Sequence, residues 1–360
     1  MCAGVGEGMR VLFNIAHPAQ VHLFKNAIRI LKDRGHDVEV TAVNKEVSRY
    51  LLETYGIKYK LVGESKSSLF GKAVEMIKIE SHLYRISREF RPDILVGGVG
   101  NVYVAHVGRL IDRPSIVFDD TEHAKIEHLL MDPFVTLIVT PSCYLKDLGE
   151  KQIRYDGYHE LAYLHPNYFR PNPAVLDELG LSKGDTFFLL RFVSWTASHD
   201  IGQKGINNRI SFVKELEKYG TVLISSEDKL NRELEKYRVR IPPERIHDVL
   251  YYATLYIGEG ATMASEAAVL GTHAIYINTL PLGYLMEQEK RYQLVFNFNT
   301  PNFEHQAFKK ALTLINTNNL WKIGKKKRNK LLKEKIDVTA FIINVVEELQ
   351  GGDKWIGRKS

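Results

Sequence analysis

The chain has little of what marks an extracellular or membrane-spanning protein. Only two of its 360 residues are cysteine, Cys2 and Cys143. They are too few and too far apart for a disulfide framework or a zinc site. Long hydrophobic runs are missing too: stretches such as 134–139 and 187–190 are strand-sized, far below the ~20 residues a membrane-spanning helix needs. The opening M-C-A-G-V-G-E-G lacks the basic start and apolar core of a signal peptide. It reads as a loose leader before a domain that begins near Met9. No short-period repeat occurs, which argues against a solenoid. These absences point to the cytoplasm.

Apolar residues make up 44% and charged residues 26%, so the length suits two middling domains, each with its own core. The formal charge is +6 and concentrates in residues 322–335 (K-I-G-K-K-K-R-N-K-L-L-K-E-K). Such a run can attract phosphates, nucleic acid or an anionic membrane face, or can simply be a solvated helix face. Nothing resembles a nucleic-acid-binding module, and no nucleic-acid partner is expected. Peripheral contact with the inner membrane face stays open, as does the oligomeric state.

Short β-rich runs alternate with amphipathic segments from the start. Strands are expected at 10–15, 38–42, 59–62, 94–97, 115–118 and 137–140, with helices at 21–34, 45–55, 72–89 and 102–110 between them. Pro166, Pro171 and Pro173 mark a linker within 157–173. A second series follows, with strands at 186–192, 221–225, 255–257 and 273–277 and helices at 207–219, 243–253 and 262–270. The segment 338–349 has helical spacing and reads as a closing helix. The expected organisation is an N-terminal Rossmann-like domain over 9–165, a linker at 166–175, a C-terminal Rossmann-like domain over 176–325 and a basic helical segment over 326–360. The βαβα order implies parallel sheets covered on both faces.

In such sheets ligands bind beyond the carboxyl ends of the strands, so the loops there carry the chemistry. Four stand out. G-E-G-A-T-M-A-S-E-A-A-V-L-G, 258–271, places Gly258, Gly260, Ala261 and Thr262 at a strand-to-helix turn whose free N–H groups suit a diphosphate. Glu266 lies further along that helix, placed for ribose hydroxyls or simply solvated. A-H-P-A-Q-V-H follows the first strand, and His17 there is an imidazole, a group whose ordinary pKa suits it to take a proton near neutrality, or is a structural loop histidine. F-D-D-T-E-H, 118–123, puts Asp119, Asp120 and Glu122 after a buried strand. Such charges are costly to desolvate and should face a cleft or solvent, for acid–base work, acceptor binding, capping or a metal. Their adjacency lacks the spacing of a defined metal site, and none is expected. The fourth loop, 191–205, offers Ser194, Thr196, His199 and Lys204 to cradle a diphosphate, or is a flexible connection.

The stretch L-Y-I-G-E-G-A-T-M-A-S-E-A-A-V-L-G-T-H-A-I-Y-I, 255–277, resembles the C-terminal-domain motif of GT-B glycosyltransferases and UDP-N-acetylglucosamine 2-epimerases. N-I-A-H-P-A-Q-V-H at 14–22, F-D-D-T-E-H at 118–123 and E-L-A-Y-L-H-P at 160–166 make nearly all of 9–350 resemble an archaeal-type, GT-B-like family without an assigned reaction. The resemblance implies an α/β, GT-B-like fold with two Rossmann-like domains whose parallel sheets face a central cleft. It implies a nucleotide-sugar substrate, a nucleotide-contacting Glu266 and no cofactor or metal ion. In some inverting transferases a histidine at the position of His17 is the base. In the epimerases an acidic residue of the 118–123 loop moves a proton on the sugar. His199 is similar to the epimerase histidine but lacks the basic and acidic run that follows it there. Pro18 and Ala19 stand where transferases usually keep glycines. The expected function is therefore transfer of a sugar from a nucleotide-sugar donor to an acceptor, with a 2-epimerase or a non-catalytic nucleotide-sugar-binding protein as alternatives. The P-L-G-Y tract at 281–284 and the basic segment also suit a lipid- or polymer-linked acceptor.

Overall fold

The structure is a computed structural model, and it describes residues 8–64, 69–193, 206, 208–226, 229–299 and 303–349. The chain divides into two compact units: the described residues of Met1–Tyr163 and Ile336–Ser360 form one, and those of Leu164–Lys335 the other.

The first unit is built on seven parallel strands: β1 (Arg10–Ile15), β2 (Asp37–Asn44), β3 (Lys60–Glu64), β4 (Ile94–Gly97), β5 (Ser115–Phe118), β6 (Leu137–Pro141) and β7 (Gln152–Tyr155). Their order in the sheet is β3-β2-β1-β4-β5-β6-β7. Because helices cover both faces, the central strands are buried along nearly their whole length and lack polar alternation. Leu12, Leu95, Val104, Val117 and Ile138 lie in one buried cluster on one side of this sheet.

The second unit holds β8 (Phe187–Phe192), β9 (Thr221–Ser226), β10 (Leu255–Gly258), β11 (Ala274–Ile277) and β12 (Val295–Phe298). All are parallel, in the order β12-β11-β10-β8-β9. Its core joins Phe188, Leu190, Ile257 and Ile275 to Phe212 and Ala311 of the covering helices. Both units are Rossmann-like.

Each sheet has a point where the strand order reverses, β1/β4 in the first and β8/β10 in the second. At such a point the neighbouring loops diverge to opposite faces and leave a crevice at the carboxyl edge.

Several local expectations change. Pro18 does not separate the first strand from its helix. It opens helix Pro18–Asp33 at a position where a missing N–H costs nothing. The 157–173 stretch is not simply a linker: it contains helix Leu161–Leu164, and Tyr158, His159 and Glu160 before it are buried. The basic segment expected over 326–360 is not one piece. Helix Leu320–Glu334 belongs to the second unit, and the chain then returns to the first. There helix Val338–Glu348 buries Val338, Ile342, Ile343, Val345 and Val346. Thr339 donates to the Ala162 carbonyl at 2.6 Å, and Arg34 pairs with Glu347 at 2.8 Å. No helix among the described residues is long and apolar enough to cross a membrane.

Candidate functional site

At the first switch point, polar side chains occupy the strand ends although the strands themselves are apolar. Asn101 donates to the Asn14 side chain at 2.9 Å, and Asn14 donates to Thr41 at 2.9 Å, all three buried. Asn101 also caps helix Val102–Leu110 by accepting from Val104. Gly100 has φ +60°, which a side chain adopts only under strain, and this aims its N–H at Asp119 Oδ2, 3.2 Å away. The loops after β1, β4 and β5 are thus tied into one edge.

The F-D-D-T-E-H loop does not face solvent as a group. Asp119 is fully buried, Glu122 is nearly so, and only Asp120 keeps an opening, with 14% of its side chain exposed. The cost of desolvation is met by specific partners. Asp119 accepts from the amide of Thr121 at 2.7 Å and faces His128 Nε2 at 3.5 Å. Glu122 accepts from the Leu145 amide at 3.2 Å and is turned toward the loop after β6. Asp120 meets His159 Nδ1 at 3.0 Å and accepts from the Thr121 hydroxyl at 3.1 Å.

The two adjacent aspartates are driven apart in acidity. Burial pushes Asp119 up to about 6, despite His128 and the two amides. Burial acts on Asp120 in the same direction, but His159 outweighs it, and Asp120 sits below the usual carboxylate range. The same pairing overcomes the desolvation of His159 and raises its pKa, so each partner favours the charged form of the other. His159 lies against the ring of Tyr155, centroids 6.3 Å apart and planes 11° from parallel. Its Nε2 and the Tyr155 hydroxyl are both buried without a hydrogen-bond partner among the described residues.

His17 lies apart from this cluster in character. It is exposed and is the N-cap of helix Pro18–Asp33, its Nδ1 accepting from the Ala19 amide at 3.2 Å. A neutral imidazole whose Nδ1 accepts carries its proton on Nε2.

In the second unit the helix after β10 begins at Ala261, with Gly260 as N-cap in extended conformation, so Thr262 is an exposed first-turn residue and not the cap. Gly260, as the N-cap, has no side chain with which to close this terminus. The glycine at 258 serves packing: a Cβ there would lie 2.7 Å from the Tyr256 hydroxyl and 2.8 Å from the Arg191 carbonyl. The Tyr256 hydroxyl in turn donates to the Gly260 carbonyl at 2.9 Å, holding the turn. Glu266 is buried, not solvated, and pairs with His247 Nε2 at 2.9 Å.

Glu259, a residue that sequence reasoning passed over, has a side chain with no solvent exposure. It accepts from the amides of Val193 and Ile206, at 3.0 and 2.8 Å, and pairs with Arg209 at 3.1 Å. It therefore ties Val193 and Ile206 to the end of β10. Ser194, Thr196, His199 and Lys204 themselves lie outside the described residues. Among the described residues no group of three or more His, Cys, Asp or Glu is placed to hold a metal ion.

Residues 9–349 match the family model described as "Protein of unknown function (DUF354)". The chain belongs to that family. A relative, the uncharacterized protein MJ0665 of Methanocaldococcus jannaschii, is 24% identical over 298 residues, covering 78% of this chain and 86% of its own length. Among solved structures, the UDP-GlcNAc 2-epimerase of M. jannaschii, in complex with UDP-GlcNAc and UDP, superposes with a TM-score of 0.66 at 13% identity, covering 96% of this chain and all of that one. Spinosyn forosaminyltransferase SpnP superposes at 0.61 with 14% identity, covering 96% and 100%. At such identities the likeness is one of fold, and that fold is the GT-B type shared by nucleotide-sugar transferases and epimerases.

Proposed function

We propose that this DUF354 protein is a GT-B-type glycosyltransferase that moves a sugar from a nucleotide-sugar donor to an acceptor hydroxyl, with Asp120 as the general base. The observation that carries the reading is the state of the acidic loop. Of its three carboxylates only Asp120 reaches an opening, and only Asp120 is held in the ionised form by a neighbouring histidine. A positioned, ionised carboxylate is what a reaction with one proton to remove needs. Asp120 takes the proton of the acceptor hydroxyl. The acceptor oxygen bonds to the anomeric carbon, and the bond from that carbon to the diphosphate breaks. His159 keeps Asp120 oriented and ionised. His17 then serves as the cap of its helix and lines the acceptor side.

The leaving nucleotide diphosphate carries the developing negative charge. The first-turn amides of Ala261 and Thr262, behind a glycine N-cap on a ten-residue helix, supply N–H groups and positive dipole for it. Ser194, Thr196, His199 and Lys204 are proposed to complete the diphosphate contacts, and Glu266 to share its carboxylate between His247 and the ribose. With charge neutralised this way the reaction runs without a metal ion or cofactor. A lipid- or polymer-linked acceptor fits the reading.

One observation favours a second reading, the 2-epimerase. Asp119 and Asp120 are adjacent carboxyls with opposite shifts, the pattern of a paired acid and base. The two readings differ in whether an acceptor is needed. The test is product analysis of a panel of nucleotide-sugars with and without candidate acceptors. Nucleotide diphosphate released only with an acceptor, and lost in Asp120→Asn, supports the transferase.

A further inference from the structure

The basic run at 322–335 is two populations on one helix. Lys325 donates to the Leu270 carbonyl at 2.6 Å, Arg328 to the Val269 carbonyl at 2.9 Å and Lys327 to the Gln293 carbonyl at 2.8 Å. The first two close the C-terminal end of helix Ala261–Leu270. Lys335 is buried against Glu287 at 2.9 Å. These four residues hold the second unit together and are not available to a partner.

Lys322, Lys326, Lys330 and Lys333 are different. All four are exposed, at the helical spacing that places them on one face. That face lies opposite the buried Leu320, Gly324 and Leu331. The one acid in the run, Glu334, is occupied by Arg291 at 2.9 Å and lies 4.0 Å from Lys330. Lys322 falls in the first turn, which contains no acidic residue and where positive charge opposes the helix dipole. Helix stability therefore does not account for it. On either side of the lysine face lie Ile323, 37% exposed, and Trp321, which is 51% exposed while its ring meets Tyr251 at 6.5 Å between centroids and Lys325 at 5.2 Å. Lys290 adds exposed charge on the neighbouring turn, which packs against this helix.

We propose that helix Leu320–Glu334 docks the second unit onto an anionic lipid surface, its four lysines against the headgroups and Trp321 at the interface. The charge pattern is complementary to such a surface. Ile323 and the exposed half of Trp321, at the edges of the lysine face, supply the apolar anchors that a phosphate-only partner does not use. The single arginine of the run, the side chain best suited to bidentate phosphate recognition in nucleic acid, is committed to a carbonyl of the protein body. This docking does not depend on which reaction the chain catalyses. It would place the protein where a membrane-carried substrate is found.

The test is co-sedimentation of the full chain with vesicles of phosphatidylcholine alone and of equal parts phosphatidylcholine and phosphatidylglycerol. The expected result is binding to the anionic vesicles only, weakened by added salt. Each lysine near such a surface is worth roughly five-fold in partitioning. The Lys322→Glu/Lys326→Glu/Lys330→Glu/Lys333→Glu variant should therefore bind at least ~50-fold more weakly while melting like the wild type, because these side chains are exposed. Trp321→Ala should leave a weaker, more salt-sensitive association. Wild-type protein that stays in the supernatant with anionic vesicles, or a quadruple variant that binds as well as wild type, would overturn the proposal. Retention of a single-stranded RNA in the same buffer without vesicle binding would also overturn it and assign the face to nucleic acid.

Discussion

Asp120 and His159, from the loop after β5 and the loop after β7, meet through Oδ2 and Nδ1 at 3.0 Å, and the contact lowers the pKa of one and raises that of the other. It separates Asp120 from Asp119, its neighbour in sequence, which is pushed the other way.

The pair makes a kinetic prediction. Asp120→Asn should lower kcat by roughly 10²–10⁴-fold, the range for loss of a general base. His159→Gln should cost less and should shift the acid limb of the kcat/KM profile upward, because Asp120 loses the neighbour that holds its pKa down. Circular dichroism melts of both variants separate this from unfolding. An unchanged acid limb in His159→Gln would remove the positioning role.

Asp119 makes a prediction of opposite sign for stability. Its folded pKa lies above its unfolded value, so between about pH 4 and 6 the native state binds the extra proton. Stability from this group is present at low pH and falls as pH rises through that window. Asp119→Asn removes the penalty. Denaturant titrations should show the stability of Asp119→Asn relative to wild type improving from pH 4 to pH 7, on the order of 1–3 kcal/mol. A constant difference across this range would show that Asp119 is not strained by its burial.

Much of this was legible beforehand. Strands β4 and β5 and helix Val102–Leu110 follow from apolar runs bounded by glycine, proline and charge. The short edge strand β7, Q-I-R-Y, was missed because one apolar and one aromatic residue between polar ones give too little period to read. His159 was missed for a related reason. It lies in a stretch whose prolines and tyrosines read as a linker, and only tertiary packing brings it to Asp120. Asp119 and Glu122 were expected to face a cleft or solvent because charge is costly to bury. Local amides, His128 and the loop after β6 meet that cost, and no single segment of sequence displays those partners together.

Glu259 was hidden inside a motif read for its glycines. Its carboxylate serves two amides and a guanidinium, so Glu259→Ala should leave buried donors unpaired. Since Arg209 is partly exposed, a loss on the order of 2–3 kcal/mol is expected. Chemical denaturation gives the value, and a loss below about 0.5 kcal/mol, the scatter of ordinary surface substitutions, would contradict the clamp.

Metal independence is checked by chelation. Activity should persist in EDTA, because helix N–H groups and Lys204 are proposed to neutralise the diphosphate. Loss of activity with EDTA, restored by Mg²⁺ or Mn²⁺, would reassign the acidic loop.

The most direct measurement is hydrogen exchange at the sugar carbon beside the anomeric centre, followed in D₂O with the preferred nucleotide-sugar. A transferase leaves that hydrogen in place, so the sugar should stay undeuterated without an acceptor. Addition of the acceptor should then release nucleotide diphosphate in wild type and roughly 10²–10⁴-fold more slowly in Asp120→Asn. Deuterium entering that carbon with no acceptor present would contradict the transferase and establish the epimerase.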